Sequence, residues 1–311
     1  MLAVLIGLTI GIGLPIQTGI NSRLRDSVGS PFVASLVSFT IGTLFLAVIT
    51  LMRDHSLLFS AQLFTTQPVW LWLGGLFGVI YLTGNILLFP KLGSVQTVIM
   101  PVFGQILMGL LIDNFGWFAA HRDPLTVTRG LGAGLVLIGV IGTVALSSWL
   151  ANRQANAATV ATPGLWLWRG AGIFTGMLSA TQTAVNGRLG VVLASSVKAA
   201  LVSFFVGAVA LLLIVLVTRV PLKVTTPATG HNPWWMWTGG LIGALYVLGN
   251  TVLVPLVGTG LAVVIVLVGL MAGSLVIDQF GWLGATKHPI NMVQLSGLLV
   301  MIAGVAMIRL F

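Results

Sequence analysis

WLWLGGLFGVIYLTGN, residues 70–85, returns as WMWTGGLIGALYVLGN, residues 235–250. The two stretches share their tryptophans, a Gly-Gly-Leu, a second glycine, a tyrosine and a closing Gly-Asn. The offset is 165 residues, and it holds along the whole chain without a gap. Gln17, Asn21, Arg23, Ser38, Phe39 and Gly42 meet Gln182, Asn186, Arg188, Ser203, Phe204 and Gly207. IDNFGW (112–117) meets IDQFGW (277–282), and Pro124, Gly132 and Gly139 meet Pro289, Gly297 and Gly304. One unit is therefore written twice, as residues 1–150 and 165–311. The stretch between them, 151–164, is small, polar and proline-containing, as a surface linker is.

The repeated unit is too apolar for water. Of 311 residues, 57% are hydrophobic and only 6% charged, and mean hydropathy is +1.10. Soluble domains carry about 25% charged residues. The composition therefore indicates an integral membrane protein, all-α because helices satisfy their own backbone in lipid. The net charge of +9 lies mostly beside apolar runs. It reads as membrane topology and contact with lipid headgroups, not as a nucleic-acid surface. Without cysteine there is no disulfide, thiolate metal site or cysteine nucleophile.

Ten apolar segments are long enough to span a bilayer, at roughly 2–21, 32–52, 69–89, 94–112, 128–149, 165–185, 197–217, 234–254, 259–277 and 292–310. The first reads as a span and not as a cleaved signal peptide, because it lacks a basic leader and its match at 165–185 lies inside the chain. Each unit then holds five spans, an odd number. A linker too polar to cross forces the second unit to enter from the opposite side. The expected fold is two inverted five-helix repeats about a pseudo-two-fold axis in the membrane plane. Basic residues divide six against eight between the two sides, which leaves the absolute orientation open.

Depth along the spans sorts the polar residues. At 1.5 Å per residue, Gln17 falls about 8 Å from the side where the first span ends, level with Ser38 and near Asn85. Inversion puts Gln182, Ser203 and Asn250 in the matching layer at the other face. Asn21 and Asn186 sit at the two interfaces. These residues read as two mouths of one pathway. The competing reading of the Gln17/Asn21 face is an interhelical hydrogen bond that only holds the bundle. Tyr81 and Tyr246 reach mid-membrane, as does Gln105, which follows a helix-loosening Pro101. Their second-half counterparts are Val266 and Leu270, so the centre should be more polar where the first unit lines it. The expected substrate contacts are Tyr81, Tyr246, Gln105, Asn85 and Asn250. Gly7/Gly11 and Gly172/Gly176 read as close helix packing. Asp113 and Asp278 read as helix-end residues and not as proton carriers.

Catalytic patterns such as HExxH, GxSxG and GxxxxGK[ST] are missing from the sequence. His55, His121, His231 and His288 lie in loops without ligand spacing, so no metal, no cofactor and no catalytic residue is expected. The pattern points to a secondary-active carrier of a small polar or zwitterionic metabolite, working as a monomer that is itself a pseudo-dimer. A passive channel of the same symmetry and a non-transporting membrane partner are the alternatives.

QTGINSRL…SPFVASLVSFTIG, GGLFGVIYLTGNILLFPKLG and GQILMGLLIDNFGW resemble the drug/metabolite transporter superfamily, in its YdcZ-like branch. The resemblance covers each half once. It implies a multi-pass secondary transporter of the bacterial inner membrane, with the first four spans of each half similar to a small multidrug-resistance subunit. Those small relatives carry a glutamate in the first span that binds protons and cationic substrate in turn. Here Gln17 and Gln182 stand in that region, and glutamate is absent from the chain. The family's Gly–Gln pair is kept as Gly104–Gln105 and departs to Gly269–Leu270.

Overall fold

The computed structural model describes residues 1–142, 164–222, 224–225, 232–284 and 290–310. The linker expected at 151–164 lies almost wholly outside them. The described residues are helical, with no strand among them, and six helices are long and apolar enough to cross a membrane. The main helices are α1 (Leu2–Val28), α2 (Pro31–Asp54), a short α3 (Leu63–Thr66), α4 (Gly74–Phe115) and α5 (Val127–Val140). After the linker come α6 (Leu165–Val192), α7 (Ser196–Thr218), α8 (Gly239–Val257), α9 (Thr259–Phe280) and α10 (Met292–Leu310).

Local chemistry repeats with the sequence. Ser30 caps α2 by accepting from the Val33 amide, and Ser195 caps α7 by accepting from the Lys198 amide at 3.2 Å. Gly116 (φ 66°) stops α4 and Gly281 (φ 67°) stops α9 in the left-handed conformation that glycine adopts without strain. A 3₁₀ turn precedes α4 at Val69–Trp72 and α8 at Trp234–Trp237. Beyond the two glycine stops, Phe115 stacks on Trp117 and Phe280 on Trp282, with ring planes 21° apart in both pairs.

One element departs from expectation. Separate spans at 69–89 and 94–112 were expected around PKLGS; instead α4 is helical from Gly74 to Phe115, 42 residues. It is not a straight rod. Gly74, Gly78 and Gly84 face Asn186, Gln182 and Thr175 of α6, in falling order. Gly172 and Gly176 of the same helix face Met100 and Pro101, and Gly104 faces Ile173 and Met177, in rising order. The two arms of α4 thus run opposite ways along α6, and the element doubles back between Gly84 and Met100. In the second half the chain breaks outright at Gly258, whose φ of 81° and ψ of 167° only glycine holds easily.

Contacts between the halves are reciprocal. Gly74 meets Asn186, and Gly239 meets Asn21; Gly78 meets Gln182, and Gly243 meets Gln17. Gly75 lies on the Ser203 carbonyl and Gly240 on that of Ser38. Phe39 and Phe204, equivalent to each other, pack ring to ring with centroids 4.9 Å apart. Gly132 lies against Gly304, and Gly139 against Gly297, which are the same pair seen from each half. Such exchange of residue i with j is what a two-fold interface produces. Equivalent helices run antiparallel: Phe39 lies against Gly207 and Gly42 against Phe204 between α2 and α7, and the α5–α10 contacts also run in opposite order. At these sites the absence of a side chain lets backbones touch, the usual basis of apolar helix association in lipid.

Candidate functional site

The centre is built around Gln105, on the second arm of α4 and 7% exposed. Its Nε2 donates to the Tyr81 hydroxyl at 3.1 Å and to Ser179 Oγ of α6 at 3.2 Å. Tyr81 sits on the first arm, so the doubling back of α4 brings the two together against α6. Asn85, one turn beyond Tyr81, shares its face; its Oδ1 is buried without a hydrogen-bond partner. Thus one cluster holds Tyr81, Asn85 and Gln105.

Tyr246 occupies the equivalent place in an apolar setting. It packs against the apolar cluster of Leu253, Val254, Ala262 and Val266 and against a second one that includes Val79, Ala244 and Val247. Asn250 is 4% exposed and turns its Nδ2 to the Tyr246 carbonyl at 3.1 Å. Leu270 and Leu14 stand where the first half and α6 have Gln105 and Ser179. The polar character of the centre therefore comes from one half. Ser179 was missed by sequence reasoning; its one signal was a hydroxyl at a position where the matching helix has leucine.

The residues read as mouths fall into two mirrored groups. Ser38 Oγ donates to Asn21 Oδ1 at 3.3 Å, with Gln17 on Gly243 one turn away. Asn186 Nδ2 donates to Ser203 Oγ at 3.0 Å, with Gln182 on Gly78. Their burial is alike at Ser38 and Ser203, both buried, and differs at the asparagines. Asn186 is 2% exposed and its neighbours Thr183 and Gly187 are buried. Asn21 is half-buried, and Thr18 and Ser22 are exposed.

Asp113 is a helix-end residue, but of a second helix as well as its own. It is 0% exposed. Its Oδ1 accepts from the Thr259 amide at 2.9 Å and Oδ2 from the Gly260 amide at 2.8 Å, so it caps α9 across the break at Gly258. Arg129 of α5 pairs with it at 3.5 Å and with Asp123 at 3.0 Å. Arg129, a charge flanking an apolar run in the first turn of α5, is itself 3% exposed. Gln294 takes the matching place in the second half and forms a reciprocal cap with Asn291. The side chain of Asp278 lies outside the described residues. Among the described residues no group of three His, Cys, Asp or Glu is placed to hold a metal ion.

The family described as "Putative inner membrane exporter, YdcZ" matches residues 2–142 and again 167–307, bounds that are themselves 165 apart. The chain belongs to the YdcZ family. Inner membrane protein YdcZ of Escherichia coli (strain K12) is 26% identical over 145 residues, which are 47% of this chain and 91% of that one. A single repeat here thus corresponds to nearly a whole relative. A protein of solved crystal structure covers 99% of this chain and 96% of its own at TM-score 0.67 and 15% identity, a likeness of fold alone. With the apolar helices, family membership makes this a multi-pass protein of the inner membrane in a transporter-type family.

Proposed function

We propose that the protein is a secondary-active transporter and not an enzyme. It moves a small polar organic metabolite by alternating access between two inverted five-helix repeats with ten spans in all. α4 supplies two of those spans through its two arms. The observation that carries this reading is the combination of reciprocal contacts with unequal exposure. Antiparallel equivalents support a two-fold axis across the helices and so in the membrane plane, the symmetry by which carriers exchange outward and inward forms. The two mirrored groups differ as the two mouths of one such form do: the Asn186–Ser203 mouth is closed and the Asn21–Ser38 mouth is looser. Gln17 and Gln182 lie late in α1 and α6, which run in opposite directions, so they flank opposite mouths. Tyr81, Asn85 and Gln105 with Tyr246 and Asn250 form the substrate contacts between them. The unit works as a monomer surrounded by lipid.

The absence of cysteine makes the test direct. Asn21→Cys and Asn186→Cys are introduced singly, and each is labelled with a membrane-impermeant maleimide from each side of oriented vesicles. The expected result is labelling of the two from opposite sides, with solute addition raising one rate and lowering the other. Labelling of both from one side rejects the inverted arrangement. Opposite-sided labelling that never responds to any transported solute rejects alternating access.

A further inference from the structure

Resting on the transporter reading, we infer that the substrate is a net-uncharged organic molecule with at least one N–H or O–H group, and that it gives this hydrogen to Asn85 Oδ1. The inventory of the central cluster leads there. Both hydrogens of the Gln105 amide are spent within the protein, on Tyr81 and Ser179. Among the described residues the Asn85 carbonyl oxygen is buried without a hydrogen-bond partner, while the amide as a whole lies against the Tyr81 hydroxyl. A buried acceptor left unmatched is costly, and native structures satisfy nearly all such groups. A ligand donor supplies what the fold withholds.

Charge is withheld too. The cluster is made of phenols, amides and a hydroxyl, which carry none. Along α4 the next acid is Asp113, eight residues past Gln105 and about 12 Å away. Its carboxylate is already held by two amides and Arg129. On α6, Arg169 and Arg188 are roughly 14–15 Å from Ser179 along the axis. α8 carries no ionisable residue but Tyr246, and α9 none before Asp278. Lys91, six residues after Asn85, has a side chain outside the described residues. An ion entering here exchanges water for a low-dielectric site with no counter-charge among the described residues, which disfavours it about a hundredfold or more against a neutral isostere. The rings of Tyr81 and Tyr246 provide apolar wall for the carbon frame.

The test uses the whole protein in proteoliposomes exposed to one equimolar mixture. Glucose, sorbitol, uracil, uridine and nicotinamide form its neutral members; lactate, putrescine and choline form its charged ones. Internal solutes are measured by mass spectrometry against protein-free liposomes. Selective entry of neutral members is expected, with Asn85→Leu reducing it at least tenfold and Asn85→Asp admitting putrescine or choline. Protein-dependent entry of charged members alone overturns the substrate class and leaves a transporter. Undiminished neutral uptake by a folded Asn85→Leu protein overturns the role of Asn85. If no member enters although the protein melts cooperatively, the transporter reading falls, and this inference with it.

Discussion

Replacing Asp113 tests how the two halves are held together. Its carboxylate satisfies two amides at the start of α9 and faces Arg129, with every group buried. Deleting one partner of a buried pair costs about 3–5 kcal/mol, and an orphaned amide about 1–3 kcal/mol. The strandedness of Arg129 is reduced because it keeps the Asp123 carboxylate at 3.0 Å and the Asp123 carbonyl at 2.6 Å. The balance predicts a loss of about 3 kcal/mol for Asp113→Ala, a factor of roughly 150 in the unfolding equilibrium. Asp113→Asn keeps one acceptor oxygen and should lose about half of that. Equilibrium unfolding in mixed micelles of rising SDS fraction, followed by tryptophan fluorescence, measures both. A cycle with Arg129→Met isolates the pair and should give a coupling above about 0.5 kcal/mol. A loss below about 1 kcal/mol for Asp113→Ala, or no coupling, refutes the clamp.

Gly75→Ala and Gly240→Ala each drive a methyl into a backbone carbonyl of the other half, so both should destabilise by about 1–3 kcal/mol in the same titration. Gly130→Ala, which has open space within α5, serves as the control expected to be neutral or to stabilise by up to about 1 kcal/mol. Chains cut within 151–164 and co-expressed should co-purify as an active pair, because the reciprocal contacts lie outside the linker; independent migration of the halves on size exclusion contradicts this. Gln17→Ala and Gln182→Ala should alter influx and efflux unequally and in opposite senses, measured by counterflow in oriented vesicles, and equal effects in both directions contradict separate mouths.

The sequence revealed what the two halves share. Glycines and small polar residues at a constant offset are the points where backbones touch, so the same letters had to be kept in both copies, and reading them located Gln17, Asn21, Ser38 and their partners. It revealed less about what one half does for the other. Asp113 and Thr259 are 146 residues apart, and nothing local to either announces the bond. Arg129 gave no sign of its burial, because depth counted along a straight helix ignores what folds over it. Ser179 was one hydroxyl among many on α6 until the second arm of α4 brought Gln105 to it. The reversal of α4 was legible as two spans.

The departures from symmetry share a location. Gln105 against Leu270 and Ser179 against Leu14 both involve the elements that meet at the centre, while the mirrored contacts of α2 with α7 and α5 with α10 stay reciprocal. In a dimer of identical half-length chains, any substitution changes both copies at once, so a polar group placed beside one tyrosine also appears beside the other. Joining the copies in one chain removes that constraint. Here it allows Tyr81 a second amide, Gln105, where Tyr246 has only Asn250, with Leu270 and Leu14 at the matching positions. The bundle scaffold needs the symmetry, because each half closes the other. Recognition does not, and a single small molecule with no two-fold axis of its own is better matched by a site that has lost it. The substrate should therefore lie off the pseudo-axis, towards Tyr81, Asn85 and Gln105.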